Sequence, residues 1–268
     1  MQSFSYHMHT NSLGIFDGQN TADEMINQAI NVGYTELGIS NHLCYHPQVP
    51  SVHPMFFHDF QQALDIYKQV IDEIRTASLN FNIPVKVGFE VDFFDDTRWR
   101  DDFEKLRQSL PVDYYIGACH FMQDKSADKI INFYHRGKDD VNEQNIERCL
   151  KSYWQNVIAA VKSGYFDFMA HLDVVKIFGY CLSPEWDDYK WQLIEALDKY
   201  KLAYEINTSG WNKANEQHPH TWMIEELNRR NVPVVLSDDA HSTAMVAQHF
   251  ERAEALLSAM NYKNRFKL

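Results

Sequence analysis

Phe4-Ser5-Tyr6-His7-Met8-His9-Thr10 predicts a β-strand near the start of the chain. Successive side chains of a strand point to opposite faces, so Ser5, His7 and His9 share one face. Neutral imidazole is the commonest metal ligand in proteins, and two neighbouring imidazoles would hold one ion between them. The pair alone is a weak signal, because a second His-x-His occurs at residues 218–220. A metal site therefore needs ligands from the rest of the chain.

The composition indicates a folded protein with a large core. Of 268 residues, 45% are hydrophobic and 14% aromatic, which excludes a disordered chain. Barrels of this length usually form one domain, so we predict a single domain over residues 1–268. The net charge of −12 disfavours binding to nucleic acid or to anionic membranes.

The cysteines and the hydropathy pattern indicate a cellular compartment. The four cysteines show no C-x-x-C spacing, which favours reduced thiols over disulfides or a thiolate metal site. The sequence shows neither a basic and apolar leader nor an apolar run of membrane-spanning length. We therefore predict a soluble, cytoplasmic protein that acts without a membrane or a nucleic-acid partner.

Seven short apolar runs alternate with segments of helical periodicity. After the first strand, the predicted strands are 35–40, 84–89, 113–119, 166–170, 202–206 and 234–237. The predicted helices are 21–33, 57–80, 99–110, 143–163, 183–200, one from about 221, and 243–260. The loops at 46–54 and 123–140 are predicted to be irregular. Seven strand–helix units predict an α/β barrel.

Six of the seven predicted strands end within a few positions of His, Asp or Glu. Barrel enzymes carry their chemistry at the carboxyl ends of the strands, so this pattern favours an active site there. The alternative is a structural barrel with scattered histidines, and the regularity of the pattern disfavours it.

The ordered set of these strand-end motifs resembles the polymerase-and-histidinol-phosphatase (PHP) superfamily. The resemblance covers essentially the whole chain, and Glu205-Ile206-Asn207-Thr208-Ser209-Gly210 is most similar to the monofunctional histidinol-phosphate phosphatases. It implies a distorted (β/α)7 TIM-like barrel with a trinuclear metal centre. The other motifs that carry it are His7-Met8-His9-Thr10, Ser40-Asn41-His42, Gly88-Phe89-Glu90-Val91-Asp92, Gly117-Ala118-Cys119-His120, Ala170-His171-Leu172-Asp173-Val174-Val175-Lys176 and Ser237-Asp238-Asp239-Ala240-His241.

By position, the resemblance implies three groups of metal ligands. They are His7, His9, Glu90 and Asp239 around one ion, Asp17, His42 and His241 around a second, and Glu90, His120 and His171 around a third. Such nitrogen and carboxylate ligands suit three divalent ions of Zn, Mn or Fe. The implied reaction is phosphomonoester hydrolysis by a metal-bound hydroxide. Its catalytic residues would be Glu90, Asp239 and His241.

Several single assignments have structural alternatives. Asp17 lies in a Gly-flanked loop, where Asp often only stabilises a turn. Asp239 is preferred over Asp238 because Asp239-Ala240-His241 keeps the spacing of the family. Asp173 is either a carboxylate that orients an imidazole or a helix cap. His46, His53 and His58 are predicted to be loop and surface residues, with contact to substrate from a loop at the barrel mouth as the alternative, and His218 and His220 are predicted to lie in the loop before the last strand–helix unit.

The phosphate end of a small-molecule substrate is assigned to five residues: Lys176, Asn207, Ser209, Lys213 and, from a loop, Arg136. Relatives tend to have Arg at the position of Lys176 and in the segment 211–213. Lys is a point charge and does not offer the bidentate fork of Arg, so this departure bears on the substrate.

Three functions remain open from the sequence. The first is hydrolysis of L-histidinol phosphate, a step of histidine biosynthesis. The second is a PHP phosphoesterase with another substrate, such as a sugar phosphate, a nucleotide or a phosphotyrosine. The third is a non-catalytic metal-binding module, which the complete ligand set disfavours. A monomer and a homodimer are equally compatible with the sequence.

Overall fold

Parallel strands build the centre of the molecule. The computed structural model describes residues 1–49, 53–124, 129–133, 141, 145–179 and 186–268. Within them, the strands are β1 (Phe4–Ser5), β2 (Glu36–Ile39), β3 (His42–Tyr45), β4 (Phe56–Phe57), β5 (Val85–Asp92), β6 (Tyr114–Ala118), β7 (Phe121–Asp124), β8 (Lys129–Asn132), β9 (Phe168–Met169), β10 (Ala203–Asn207) and β11 (Val234–Ser237).

The seven strands predicted from the sequence form a parallel sheet that curls into a barrel. They pair in the order β1-β2-β5-β6-β9-β10-β11. At the seam, Met8 bridges Ala240, so the chain after β1 meets the chain after β11. Lower at the seam, the Gln2 amide donates to Leu236 O over 2.7 Å and accepts from Leu236 N over 3.0 Å, in place of strand pairing. The predicted distorted (β/α)7 barrel is confirmed.

Helices cover the outside of this barrel. In the described residues they are α1 (Ala22–Asn31), α2 (Phe60–Ser78), α3 (Thr97–Ser109), α4 (Ile146–Ser163), α5 (Asp187–Tyr200), α6 (Gly210–Lys213), α7 (Thr221–Arg229) and α8 (Phe250–Ala259). The predicted capping box opens α1, where Thr21 Oγ1 accepts from Glu24 N and Glu24 accepts from Thr21 N. None of the described helices is both long and apolar enough to cross a membrane.

Aromatic side chains fill the barrel below the strand ends. Tyr6, Tyr114 and Phe168 are buried there in one apolar cluster. The C-terminal Phe266 packs on Phe168 with ring centroids 5.7 Å apart, and its backbone N donates to Val234 O over 2.8 Å. The amino end of the barrel is therefore closed by apolar side chains, and the carboxyl end is left for polar groups.

Some predicted elements differ from the observed ones. The loop predicted over 46–54 lies between β3 and β4, which pair in parallel, and the loop predicted over 123–140 contains β8, which pairs antiparallel with β7. The helix predicted over 243–260 begins only at Phe250, because Ala247 and His249 have φ of 62° and 57°, which an α-helix excludes. This segment is bent so that Ala247 N can donate to Asp238 over 2.7 Å. The helix start predicted at Ser183-Pro184 lies outside the described residues.

Candidate metal centre

The carboxyl ends of the strands bring the predicted ligands together. Seven of them line one cavity of about 330 Å³, and His7 and His9 are fully buried next to it. Parallel strands place their carboxyl ends at one face of a barrel, so ligands far apart in sequence meet there. The nine are His7, His9, Asp17, His42, Glu90, His120, His171, Asp239 and His241.

The first predicted group is tightly packed. His7 Nε2 lies 3.2 Å from Glu90 Oε2, and His9 Nε2 lies 3.3 Å from Asp239 Oδ1. The distance from His7 Nε2 to Asp239 Oδ1 is 3.6 Å. His7, His9 and Asp239 each offer an atom within 4.8 Å of the others, which is close enough for one ion.

The second predicted group surrounds Asp17. Its Oδ2 lies 3.3 Å from His42 Nε2 and 3.2 Å from His241 Nε2. His9 belongs to this group as well, because one ligand atom from each of the four side chains falls within 4.8 Å of the rest. Asp17 is therefore placed among the imidazoles, although the same loop makes a tight turn.

The third predicted group meets at the other oxygen of Glu90. Oε1 lies 2.9 Å from His171 Nε2 and 3.5 Å from His120 Nε2. His42, Glu90 and His120 also form a set that could hold an ion. Glu90 thus lies between the groups, the position that a bridging carboxylate requires.

The hydrogen bonding of these side chains fits bound cations. Several buried atoms have no hydrogen-bond partner among the described residues: His7 Nε2, both ring nitrogens of His9, Asp17 Oδ1 and Glu90 Oε1. Burying polar atoms without partners costs free energy, so a native protein normally supplies them with a ligand. The donor set contains only imidazole and carboxylate, which suits Zn, Mn or Fe.

Two further carboxylates orient the histidines, and sequence reasoning did not assign them. His7 Nδ1 lies 2.8 Å from Glu205 Oε2, and His120 Nδ1 lies 2.9 Å from Asp92 Oδ1. Each carboxylate accepts the Nδ1 proton, so that Nε2 is the nitrogen directed at the other ligands. Strand alternation was an available signal, because Glu90 and Asp92 share one face of β5.

Charge in the cluster shifts the pKa values of its members. Burial alone would lower the pKa of His42, but the carboxylates of Asp17 and Glu90 raise it to about 10. Burial and the neighbouring His241 lower the pKa of His9 to about 3. Burial alone would raise the pKa of Glu90, but the surrounding imidazoles hold it well below its ordinary value. The carboxylates are therefore ionised at neutral pH, as metal ligands must be.

Asp238 and Asp239 face different surroundings. Asp238 accepts hydrogen bonds from Ser5 Oγ at 2.7 Å and Tyr34 Oη at 2.9 Å, and its burial raises its pKa to about 6. Asp239 faces the cavity, and Lys213 and the imidazoles lower its pKa against the effect of burial. The geometry favours Asp239 as the ligand.

The residues predicted for the phosphate end occupy different places. Lys213 lines the cavity, with Nζ 3.5 Å from Asp239 Oδ2. Ser209 Oγ and Asn207 Nδ2 donate to the same Asp239 oxygen over 3.1 and 3.2 Å, so they hold this ligand in place. Neither of them is among the residues that line the cavity. Arg136 lies outside the described residues.

Lys176 does not reach the cavity, which corrects its assignment to the phosphate end. Its ammonium is buried 3.2 Å from Asp173 Oδ2 and 3.3 Å from Glu216 Oε2, and it donates to Gln217 O. The short 3-10 turn Val174–Phe178 aims the side chain at these partners. A charge already shared by two carboxylates is poorly placed to bind phosphate.

The three histidines predicted to be loop and surface residues, His46, His53 and His58, match that prediction only in part. His58 is exposed, but His46 is fully buried and packs on Phe94, with ring centroids 4.8 Å apart. His53 lines the cavity. His218 is buried, and its Nδ1 lies 2.8 Å from Asp173 Oδ1, so Asp173 orients this imidazole and not that of a ligand.

Comparison with known proteins identifies the family. The sequence profile described as the PHP domain matches residues 5–209. The chain belongs to the PHP domain family. The predicted family is therefore confirmed.

Similar proteins cover nearly the whole chain. A probable histidinol-phosphatase from Deinococcus radiodurans is 27% identical, over 92% of this chain and 89% of that protein. A histidinol-phosphatase from Bacillus subtilis is 21% identical, over 94% and 98% of the two chains. The crystal structure of histidinol phosphate phosphatase from Lactococcus lactis, complexed with Zn, L-histidinol and phosphate, superposes with a TM-score of 0.72 at 18% identity, over 98% and 95% of the two chains. The PHP chain described here shares the fold of the L. lactis protein.

Proposed function

We propose that this PHP protein is a metal-dependent phosphatase that hydrolyses L-histidinol phosphate to L-histidinol and phosphate. The observation that carries the proposal is the set of unpartnered, buried imidazole and carboxylate atoms beside one cavity. The names of the relatives from D. radiodurans and B. subtilis support the choice of substrate. So does the complex of the L. lactis protein with L-histidinol and phosphate.

Three divalent ions of Zn, Mn or Fe fit the ligand groups. His7, His9, Glu90 and Asp239 would hold the first, Asp17, His42 and His241 the second, and Glu90, His120 and His171 the third. When bound, such ions acidify water and neutralise phosphoryl charge, which phosphomonoester hydrolysis requires. Glu205 and Asp92 keep the Nδ1 protons of His7 and His120 away from the ligand face.

The protein's own groups position the substrate. Lys213 brings a positive charge to the cavity beside Asp239, where it can attract a phosphate oxygen. Asn207 and Ser209 hold Asp239 by hydrogen bonds. Glu90, Asp239 and His241 line the cavity and are the proposed catalytic residues, because they adjoin the space that the phosphoryl group would occupy.

The product assigns the protein to histidine biosynthesis. We propose that it acts in the cytoplasm on a small molecule, as a monomer or a homodimer, without nucleic acid. That residues 1–268 form one domain also stays a prediction.

An assay of phosphate release tests the function. The protein is stripped with a chelator, reloaded with Mn or Zn, and supplied with histidinol phosphate, a sugar phosphate, a nucleotide and a phosphotyrosine peptide. We expect the highest kcat/KM for histidinol phosphate. A higher value for another ester would replace the substrate, and no turnover by fully metal-loaded protein would favour a non-catalytic module.

A further inference from the structure

An apolar wall forms part of the cavity that holds the metal ligands. It consists of His53, Met55, Phe56 and Phe121, all of which line the cavity. The rings of Phe56 and Phe121 pack edge-to-face with centroids 5.3 Å apart, and the ring of His53 lies 5.7 Å from that of Phe56. Below them Phe94 supports Phe121 at 5.6 Å. The wall is therefore a packed surface with defined ring orientations.

The wall comes from elements that lie outside the seven-strand barrel. His53, Met55 and Phe56 lead into β4, which pairs with β3 through Cys44 and Phe56. Phe121 begins β7, directly after the ligand His120. The metal ligands follow the barrel strands, whereas the wall is supplied by the segments inserted between them. The side chain of Phe56 can therefore change without moving a metal ligand, whereas Phe121 is next to His120 in the chain.

Most polar groups that line the cavity lie at its metal end, and Asn132, on β8 opposite Phe121, is a polar lining residue beside the wall. Among the described lining residues, Asp17, Glu90 and Asp239 face imidazoles, and Asp92 accepts from His120 Nδ1. Lys213 pairs with Asp239. The part of the substrate that extends beyond the phosphate therefore meets mainly apolar atoms. A flat ring gains binding free energy from contact with this wall. A polyhydroxylated chain would give up hydrogen bonds to water there and find few hydrogen-bond partners on the protein.

We propose that this wall binds the ring of the leaving group and selects phosphomonoesters that carry a compact aromatic ring, such as imidazole, over aliphatic and sugar esters. The inference rests on the proposed function, because it assigns the side of the same site that faces the alcohol half of the substrate. It names Phe56 and Phe121 as specificity-determining residues.

The test compares two variants of the wall with two substrates. Phe56→Leu and Phe121→Leu keep apolar volume but remove the ring faces. The measured quantity is kcat/KM for histidinol phosphate divided by kcat/KM for glycerol 3-phosphate, in Mn-loaded protein. We expect this ratio to fall about tenfold in each variant, since loss of an aromatic contact acts only on the ring-bearing substrate.

Phe81→Leu is the matched control, because Phe81 is a partly buried ring that lies before β5 and outside the cavity. We expect it to leave the ratio unchanged. A ratio unchanged in both wall variants, or equal to that of the control, would overturn the inference while histidinol phosphate remained the substrate. 2-Phenylethyl phosphate, an alkyl ester that carries a ring and has a leaving group similar to that of glycerol 3-phosphate, separates the two proposals. Wild-type protein that prefers it to glycerol 3-phosphate but does not cleave histidinol phosphate would contradict the proposed substrate and support the wall, whereas preference for glycerol 3-phosphate contradicts the wall.

Discussion

At the scale of single residues, Glu90 is the side chain that the other ligands share. One carboxylate oxygen lies 3.2 Å from His7 Nε2 and 3.1 Å from His42 Nδ1, and the other lies 2.9 Å from His171 Nε2. A single buried carboxylate among three imidazoles is stable only when positive charge surrounds it. Protons on the imidazoles or bound metal ions supply that charge, and the metal ions also give the side chain a function.

His9 is the most sensitive test of the metal centre, because both of its ring nitrogens are buried without a hydrogen-bond partner among the described residues. We expect His9→Ala to lower kcat more than about 100-fold and to reduce the bound metal per chain, since a ligand matters more than its outer partners. Metal analysis and phosphate release measure the two effects. His58→Ala removes an exposed histidine and serves as the control. Full metal content with full turnover in His9→Ala would mean that the ligands are misassigned.

Lys213 is the cation predicted to attract the phosphate. Lys213→Met should raise KM for histidinol phosphate about tenfold, because a charge-assisted hydrogen bond is lost. Lys213→Arg should restore most of the affinity, and steady-state kinetics measure both variants. An unchanged KM in Lys213→Met would remove this residue from the substrate site.

Lys176 should behave in the opposite way. Its side chain is 2% exposed and pairs with Asp173 and Glu216. Lys176→Met removes the buried ammonium that faces the Asp173 carboxylate, which then keeps only hydrogen bonds such as that from His218, so we expect the free energy of unfolding to fall by about 3 kcal/mol. Urea unfolding measures this loss. KM near the wild-type value in the folded variant is expected, and a tenfold rise in KM at unchanged stability would return Lys176 to the phosphate end.

At the scale of elements, glycines let the barrel strands accept a large interior ring. Tyr114 on β6 lies over Gly38 on β2 and Gly88 on β5, and its hydroxyl donates to Tyr6 O over 2.6 Å. A Cβ at Gly88 would lie 2.5 Å from Tyr114 Cζ, which is closer than atoms approach without displacement. The spacing of the strands near the metal ligand Glu90 therefore depends on the absence of side chains at Gly38 and at Gly88, which lies two positions before Glu90.

Gly88→Ala should destabilise the barrel by about 1–3 kcal/mol through overpacking against Tyr114. Thermal or urea unfolding measures the loss. In a Tyr114→Leu background the same substitution should cost less, because the ring that it meets is gone. Equal costs in the two backgrounds would show that the contact is not the cause.

Several elements were predictable, and others were not. The helix α2 follows from the 3.6-residue spacing of Tyr67, Val70, Ile71 and Ile74, all buried in the structure. The strands β3, β4, β7 and β8 lie beside or within the predicted loops 46–54 and 123–140, where no such periodicity marks them, and the two pairs form through tertiary contacts. The helix α8 starts late because Asp238 accepts a hydrogen bond from Ala247 N, which holds the backbone before Phe250 outside the helix.

At the scale of the whole molecule, buried histidines couple folding to pH. Burial lowers the pKa of His218 to about 4 despite the nearby Asp173. The folded protein keeps this imidazole neutral down to about pH 4, whereas the unfolded chain takes up a proton near pH 6.5. Stability therefore falls as the pH drops from about 6.5 to 4, by up to about 3 kcal/mol from this residue.

The contribution of His218 can be isolated with His218→Asn. Between pH 7 and pH 5, the wild type should lose about 2 kcal/mol more unfolding free energy than the variant, because the variant has no imidazole at this position to protonate. Urea unfolding at the two pH values and equal metal concentration measures the difference. Asp173 does not contribute to the pH dependence in this range. Its pKa is lowered in the folded protein, so its contribution to stability is lost only when the pH falls below the ordinary Asp pKa of 3.8. Parallel pH dependences in the two proteins would exclude His218 as the source.

The sequence by itself determined the seven strands, the polar residues at their ends and the family. Periodicity and residue type are local properties of the chain. The strand and helix segments and the motif His7-Met8-His9 can therefore be recognised in the sequence. The role of Glu205 as the hydrogen-bond partner of His7 was not visible in the sequence, because it joins two strands far apart in the chain.

Only the tertiary structure decided which of these residues meet. Barrel closure brings Ala240 beside Met8, and it places Asp239 within reach of His9. It also turned Lys176 into a buried ion-pair partner and brought Phe56 and Phe121 together as a wall. The physical reason is that these contacts join segments far apart in the chain, where strand register and packing set the distances and no local pattern records them.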